Sequence, residues 1–345
     1  MIRHLAGAPA APAGDYAADV IILALHRVDD TLDAIASALA QRGVSRHVHV
    51  LDQGSTPAER DRLAAAIAGR TDATLYGAAV NLGVGGGRNA LAALGHGRVI
   101  AGLDNDAVFA DAATLGRMVA ALDDAPGVAA IGCRILAHAT GADDWSSWGY
   151  PAALRPRADE CFPAVTFVGA GHAIRRAAWD AAGGYDPVLF FCWEEYDFCL
   201  RAIALGWRID YRGDIAVRHK VAAEQRVSWS GSRWFHFVRN RLHIERKHGA
   251  TWPALSPRVA GYLLKGFRHG LGRETLRAIA AARAMTVQRA QPTLAGSARA
   301  YLLAHDRAHR GFWHQRLRTE VLGGFGSAPN RSRSSRPNTA GLSRR

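Results

Sequence analysis

Between residues 19 and 220, short apolar runs alternate with stretches of helical period. That alternation restricts the chain to β-α units around a mostly parallel sheet. Residues 19–25 read as a first buried strand, followed by Leu32, Ile35, Ala36 and Leu39 at helical spacing. Residues 47–51 are a second strand ending in Asp52-Gln53-Gly54-Ser55, and Pro57 opens a helix to about residue 68. Further strands fall at 74–76, 99–103 and 128–133, with helices at 89–94 and 111–124. A helix at 193–205 precedes two last strands, 207–211 and 215–219. Residues 141–166 are irregular, with Trp145, Trp148 and Tyr150 suited to a packed lid or to stacking on a sugar ring.

Charge divides the chain where this alternation ends. Residues 1–220 carry 20 Lys/Arg against 25 Asp/Glu, whereas residues 221–345 carry 23 against 5, a net of +18. The pattern beyond 225 is helical, at roughly 231–248, 254–270, 273–289 and 293–319. The expected organisation is a flexible N-terminus at 1–18, a catalytic α/β body at 19–224, a basic helical region at 225–325 and a disordered tail at 326–345. A basic appendage of this kind suits an anionic membrane face. No run approaches the ~18–20 apolar residues of a membrane span, and residues 1–14 lack a charged-then-apolar signal pattern. The expected location is cytoplasmic, peripheral on the inner face of the cell membrane. Cys133, Cys161, Cys192 and Cys199 show no C-x-x-C spacing and fit free thiols.

Chemistry concentrates where strands end. The apolar run 99–103 stops at Asp104-Asn105-Asp106, and strand ends of open α/β sheets are where ligands bind. Two carboxylates there suit one divalent cation, Mn²⁺ or Mg²⁺, arriving with a diphosphate. Gly83, Gly85, Gly86 and Gly87 would let backbone approach phosphates. They follow the third strand rather than the first, which disfavours a dinucleotide-binding oxidoreductase. A second acidic cluster, Glu194, Glu195 and Asp197, opens a helix beside Phe190, Phe191, Trp193 and Phe198. One of these acids could serve as a general base. His219 ends the last strand, and imidazole suits a transition metal.

Taken in order, these stretches resemble a family 2 glycosyltransferase of the GT-A fold, of the bacterial rhamnosyl- and galactosyltransferase type. The pieces that carry the resemblance are Asp52-Gln53-Gly54-Ser55, Asn81-Leu82-Gly83 with Arg88-Asn89, Asp104-Asn105-Asp106, and Gly169-Ala170 with Arg175-Arg176. They continue with Gly184-Tyr185-Asp186, Glu194 to Arg201, His219, and Arg239-Asn240-Arg241-Leu242 downstream. The resemblance implies an inverting, metal-dependent transfer of a hexosyl group from a nucleotide-diphospho-sugar to a cell-surface glycan or lipid-linked acceptor. It implies roles for single residues: Asp52 on the nucleobase, and Asn81, Gly83, Arg88 and Asn89 shaping the nucleotide pocket. Asp104 would lie on the ribose and diphosphate side, with Asp106 and His219 on the metal, Arg88 facing the departing diphosphate and Glu195 as base. This chain has Glu195 where the family commonly has Asp, and Ala24-Leu25-His26 where Thr-Tyr-Asn is common. A nucleotidyltransferase, or a nucleic-acid-binding protein using the basic region, are the alternatives. The first lacks an evident phosphate lysine, since Lys220 alone lies in the body; the second lacks a reading motif and leaves the acidic cleft unused, so no specific nucleic acid is expected.

Overall fold

The computed structural model describes residues 2–220 and 231–312. One mixed sheet in the order β1-β4-β3-β2-β5-β9-β7-β10-β6 organises residues 2–219, with β8 paired to β10. Its strands are β1 (Ile2–Gly7), β2 (Ala18–Ala24), β3 (Arg46–Asp52), β4 (Ala73–Ala78), β5 (Val99–Leu103), β6 (Ala107–Phe109), β7 (Val128–Ala137), β8 (Cys161–Ala164), β9 (Gly171–Arg175) and β10 (Arg208–His219). The pairs β2/β3, β3/β4, β2/β5 and β7/β10 are parallel, as the β-α alternation requires. Apolar clusters lie on both faces. One is built on Val20, Ile22, Val48, Val50 and Leu103, the other on Ile21, Leu51, Ile100, Ile174 and Phe198. The split follows the period-2 alternation of strand side chains, which sends Ile21 and Ile22 to opposite faces. Burial on both faces explains why the central strands read as continuous apolar runs.

The helices of the body are α1 (Val28–Leu39), α2 (Pro57–Ile67), α3 (Gly83–Ala92), α4 (Thr114–Asp123), α5 (Arg176–Ala182) and α6 (Glu194–Ala204). Thr56 and Glu59 close a reciprocal capping box at the start of α2, with Pro57 in its first turn. Among the described residues four further helices follow: α7 (Gly231–Lys247), α8 (Trp252–Arg268), α9 (Gly272–Ala284) and α10 (Gly296–His305). The first three carry their own core of Trp234, Val238, Leu242, Leu255, Ala278 and Ile279, whereas α10 packs against the body through Ala298, Tyr301 and Leu302. No described helix is long and apolar enough to cross a membrane.

Several expectations need correction. Residues 2–7, expected as a flexible N-terminus, form β1 and pair antiparallel with β4. The glycine run expected as a phosphate loop is the first half of α3. The strands expected at 207–211 and 215–219 are one strand, β10, with a register shift between Arg212 and Ala216. A short strand with no counterpart among the expected ones, β9, is inserted antiparallel between β5 and β7. The tail expected at 326–345 lies outside the described residues. In the 141–166 segment, Trp148, Tyr150 and Phe162 pack ring against ring and onto Tyr211 of β10, as expected for a packed lid.

Candidate active site

The parallel strands β2, β3, β4 and β5 deliver their carboxyl ends to one edge of the sheet. Arg27, Asp52, Asn81 and the 104–106 turn follow those ends. The antiparallel register of β10 on β6 sets His219 opposite Ala107, next to Asp106. His219 Nε2 therefore lies 3.2 Å from Asp106 Oδ1, with Nδ1 3.4 Å from Asp144 Oδ2. His219 is buried and Asp106 nearly so. The other oxygen of Asp106 meets the Arg27 guanidinium, Nη1 to Oδ2 at 2.7 Å.

Asp106 and His219 fit a divalent ion. Two adjacent ligands about 2.1 Å from one octahedral centre stand about 3 Å apart, close to the separation the two side chains already have. Among the described residues no group of three His, Cys, Asp or Glu could hold an ion, so two protein donors would be completed by phosphate oxygens and water.

The second part of the site is assembled around Arg88. From the middle of α3 its guanidinium donates to Asp104 Oδ1 at 2.7 Å, Glu195 Oε1 at 3.3 Å and the Gly169 carbonyl at 2.9 Å. The side chain is only 2% exposed, so Arg88 is an internal bracket between the end of β5 and the start of α6. This differs from the contact with a departing diphosphate expected from the sequence. A Cβ at Gly169 would lie 2.3 Å from Glu195 Oε1, so a larger residue there would push the Glu195 carboxylate aside.

Glu195 keeps 15% of its side chain exposed and faces the same edge as Asp104. Burial pushes its carboxyl above the ordinary glutamate value, while the charge of Arg88 pulls it back. Glu194 is more deeply buried. Burial, then the charge of Glu195, push its carboxyl well above the ordinary value, and Oε2 has no hydrogen-bond partner among the described residues.

Asp197 turns away from this edge. It is fully buried against Arg201 Nε at 2.9 Å and Lys247 Nζ at 3.0 Å, with His248 Nε2 at 3.8 Å. Burial alone would raise its carboxyl, but His248, Arg201 and Lys247 outweigh that and hold it below the usual carboxylate range. Asp197 thus ties α6 to α7, and its expected place among the acids of the reaction is corrected.

The segment between α5 and α6 sets where Glu195 points. Phe190, Cys192 and Trp193 all have positive φ, a costly conformation for non-glycine residues that persists only when the surroundings impose it. The Arg239-Asn240 pair supplies that constraint. Asn240 donates to the carbonyls of Leu189, Phe191 and Cys192, and Arg239 to those of Val188 and Leu189. Gly83, at φ +73°, receives the segment from the other side, and a Cβ there would lie 2.2 Å from the Phe190 carbonyl oxygen. The Val84 amide donates to that oxygen at 2.7 Å. Gly83 therefore serves close backbone packing, and Gly87 close approach to the side chains of Leu23 and Gln53.

Asn89 exchanges two hydrogen bonds with the backbone of Tyr185. Asn81 is exposed and accepts from the Gly83 amide. Asp52 is fully buried; its oxygens accept from the Ser55 amide at 2.9 Å and from Arg60 Nε at 2.7 Å. Burial would raise its carboxyl, but the bonds from Ser55 and Arg60 outweigh that and lower it. Asp52 and Asn89 are thus both engaged in internal hydrogen bonds.

Arg27, Gln53, Asp144 and Lys220 were not singled out from the sequence. Gln53 bonds both sides of the α3 start, accepting from the Leu82 amide and donating to the Gly83 carbonyl. Gln53 and Lys220 had a usable signal, since they directly follow the ends of β3 and β10, and Arg27 lies three residues past β2. Asp144 sits in an irregular segment and carried none.

A mostly parallel sheet flanked by helices, with acids and a histidine gathered at one edge, has the architecture of the GT-A fold. Residues 19–182 match the glycosyl transferase family 2 model. No curated protein matches the chain in sequence. Among solved structures, it is similar to the mannosyltransferase PcManGT from Pyrobaculum calidifontis in complex with GDP-Man and Mn²⁺. The TM-score is 0.53 at 19% identity, covering 91% of this chain and 86% of that one. It is similar to S. aureus TarS in complex with UDP-GlcNAc, with TM-score 0.52 at 14% identity over 87% and 92% of the two chains. GalNAc-T7 with UDP, GalNAc and Mn²⁺ aligns at TM-score 0.55 and 17% identity, over 78% of this chain and 57% of the other.

Proposed function

We propose that this protein is an inverting glycosyltransferase that moves a hexosyl group from a nucleotide-diphospho-sugar to a hydroxyl of a cell-surface glycan or lipid-linked acceptor. The observation that carries this reading is the convergence of Asp104 and Glu195 on Arg88, beside the Asp106–His219 pair. Donor-side acids and an acid able to act on an acceptor are thereby held at one sheet edge. Asp106 and His219 would hold Mn²⁺ or Mg²⁺, which when bound supplies Lewis-acid stabilisation of the departing diphosphate. Glu195 accepts the proton of the attacking acceptor hydroxyl at Oε1 or Oε2. Arg88 fixes the direction of that carboxylate and, through Asp104, its distance from the donor side. A nucleotidyltransferase would release pyrophosphate instead. Asp106→Asn tests the reading, because it removes a charged ligand and almost no volume. Donor-dependent release of nucleoside diphosphate should be lost, together with the Mn²⁺-dependent rise in melting temperature on adding nucleoside diphosphate. Undiminished release would reduce Asp106 to a turn residue.

The basic helices extend this reading to an anionic membrane face. Leu264, Phe267 and Leu276 are exposed on α8 and α9 beside Arg268, Arg273 and Arg277. Co-sedimentation with anionic vesicles, fading as salt rises and absent with neutral vesicles, is the expected result. Equal binding to both vesicle types, or to neither, would refute the electrostatic attachment.

A further inference from the structure

We propose that Arg27 is a diphosphate-binding residue which, in the ligand-free enzyme, occupies the metal carboxylate as a built-in counter-ion. The inference rests on the transferase reading and adds a residue to it. Asp106 divides its two oxygens between unlike partners. Oδ1 faces buried His219, while Oδ2, on the more open side, faces the Arg27 guanidinium at 2.7 Å. A divalent ion on Asp106 and a guanidinium on the same carboxylate repel one another, so the ion's arrival favours release of Arg27.

The structure lets the side chain go without disturbing its backbone. Arg27 is the residue before α1, and its carbonyl accepts from both the amide and the hydroxyl of Thr31, each at 3.0 Å. His26 and Arg27 are both left-handed, at φ 55° and 53°, and this turn is what aims the side chain back over the 104–106 turn. The side chain itself is 40% exposed and held by carboxylates alone, Asp106 and Asp30. Lys220 is placed in the same way. Its amide donates to the Asp106 carbonyl, while its ammonium rests on Asp33, with Asp30 3.4 Å away. Two cations at the mouth of the metal site are thus both parked on acids of α1. A diphosphate brought in with the ion offers Arg27 a planar, fork-matched acceptor in exchange for Asp106.

The consequence is opposite effects on two ligands, which a residue that merely supports the fold would not give. Arg27→Gly suits the left-handed backbone, and Arg27→Ala removes the same side chain without added backbone freedom. Binding of Mn²⁺ alone, followed by the loss of the free-ion EPR signal, should become about three- to tenfold tighter in both variants. Binding of uridine or guanosine diphosphate at saturating Mn²⁺ should weaken by about tenfold, with Arg27→Lys in between. Unchanged or weaker Mn²⁺ binding in both variants, or unchanged diphosphate binding, would overturn the proposal while leaving the transferase reading intact. If neither wild type nor variants take up Mn²⁺ or either diphosphate, the transferase reading falls and the role of Arg27 with it.

Discussion

Glu195→Gln is expected to lower kcat by about 10²–10⁴-fold while donor affinity stays near that of the wild type. The substitution keeps the shape of the side chain, and an amide oxygen can still accept from Arg88 Nη1 across the present 3.3 Å contact. What disappears is the capacity to take a proton. In the wild type, burial lifts the Glu195 carboxyl above the ordinary 4.5, which makes it a stronger base, and Arg88 limits the rise. The rate should therefore fall as pH drops through a value above 4.5, and the variant should lose that limb. Glu194→Gln is the control. Its carboxyl is also raised, so the folded state binds its proton more readily than the unfolded chain does. Wild-type stability then declines as pH rises from 4.5 through the raised value. Glu194→Gln should melt higher than wild type in alkaline buffer, the gap closing toward pH 4.5, with turnover retained. A dead Glu194→Gln beside an active Glu195→Gln would show that the base had been assigned to the wrong acid. Product anomeric configuration by NMR checks the mechanism independently, since retention would rule out single displacement.

The parts of this site that were legible in the sequence are those placed by strand ends. Asp104 and Asp106 follow the β5 run and His219 closes β10, so each was placed at a strand end. The meeting of Asp106 with His219 comes instead from the pairing of β6 with β10, which the sequence did not show. The residues misjudged are those whose partners lie on a distant element. Glu194, Asp197 and Arg201 share a helical face by spacing, but spacing does not say what that face meets. Lys247 and His248, about fifty residues on, decide that Asp197 is an interhelical anchor. The packing role of Gly83 was hidden for the same reason, because the backbone it admits is at Phe190. Strands β1 and β9 escaped because six- and five-residue segments with polar or glycine positions show no period strong enough to separate them from loop.

Arg88→Met should be the most destabilising single change in the site, by about 3–5 kcal/mol, because it removes one partner of a buried charge cluster and leaves the others uncompensated. The side chain is almost entirely enclosed, and its three acceptors come from β5, the turn before β9 and α6. At roughly 2–4 °C per kcal/mol for a domain of this size, the melting temperature should fall by about 10 °C. A second effect separates the electrostatic role from the packing role. Arg88 is the largest influence lowering the Glu195 carboxyl against the burial that raises it. Without the guanidinium that carboxyl rises further, and the acid limb of the rate profile should move to higher pH. Alkaline buffer should then recover part of the lost activity in Arg88→Met, but none in Glu195→Gln. Arg88→Lys keeps the charge but cannot reach Asp104, Glu195 and the Gly169 carbonyl at once with a guanidinium's fixed fork, so its melting temperature and pH limb should lie between the two. Wild-type stability in Arg88→Met would show that the bracket does not hold β5 to α6. An unshifted acid limb would show that Arg88 orients Glu195 without setting its basicity.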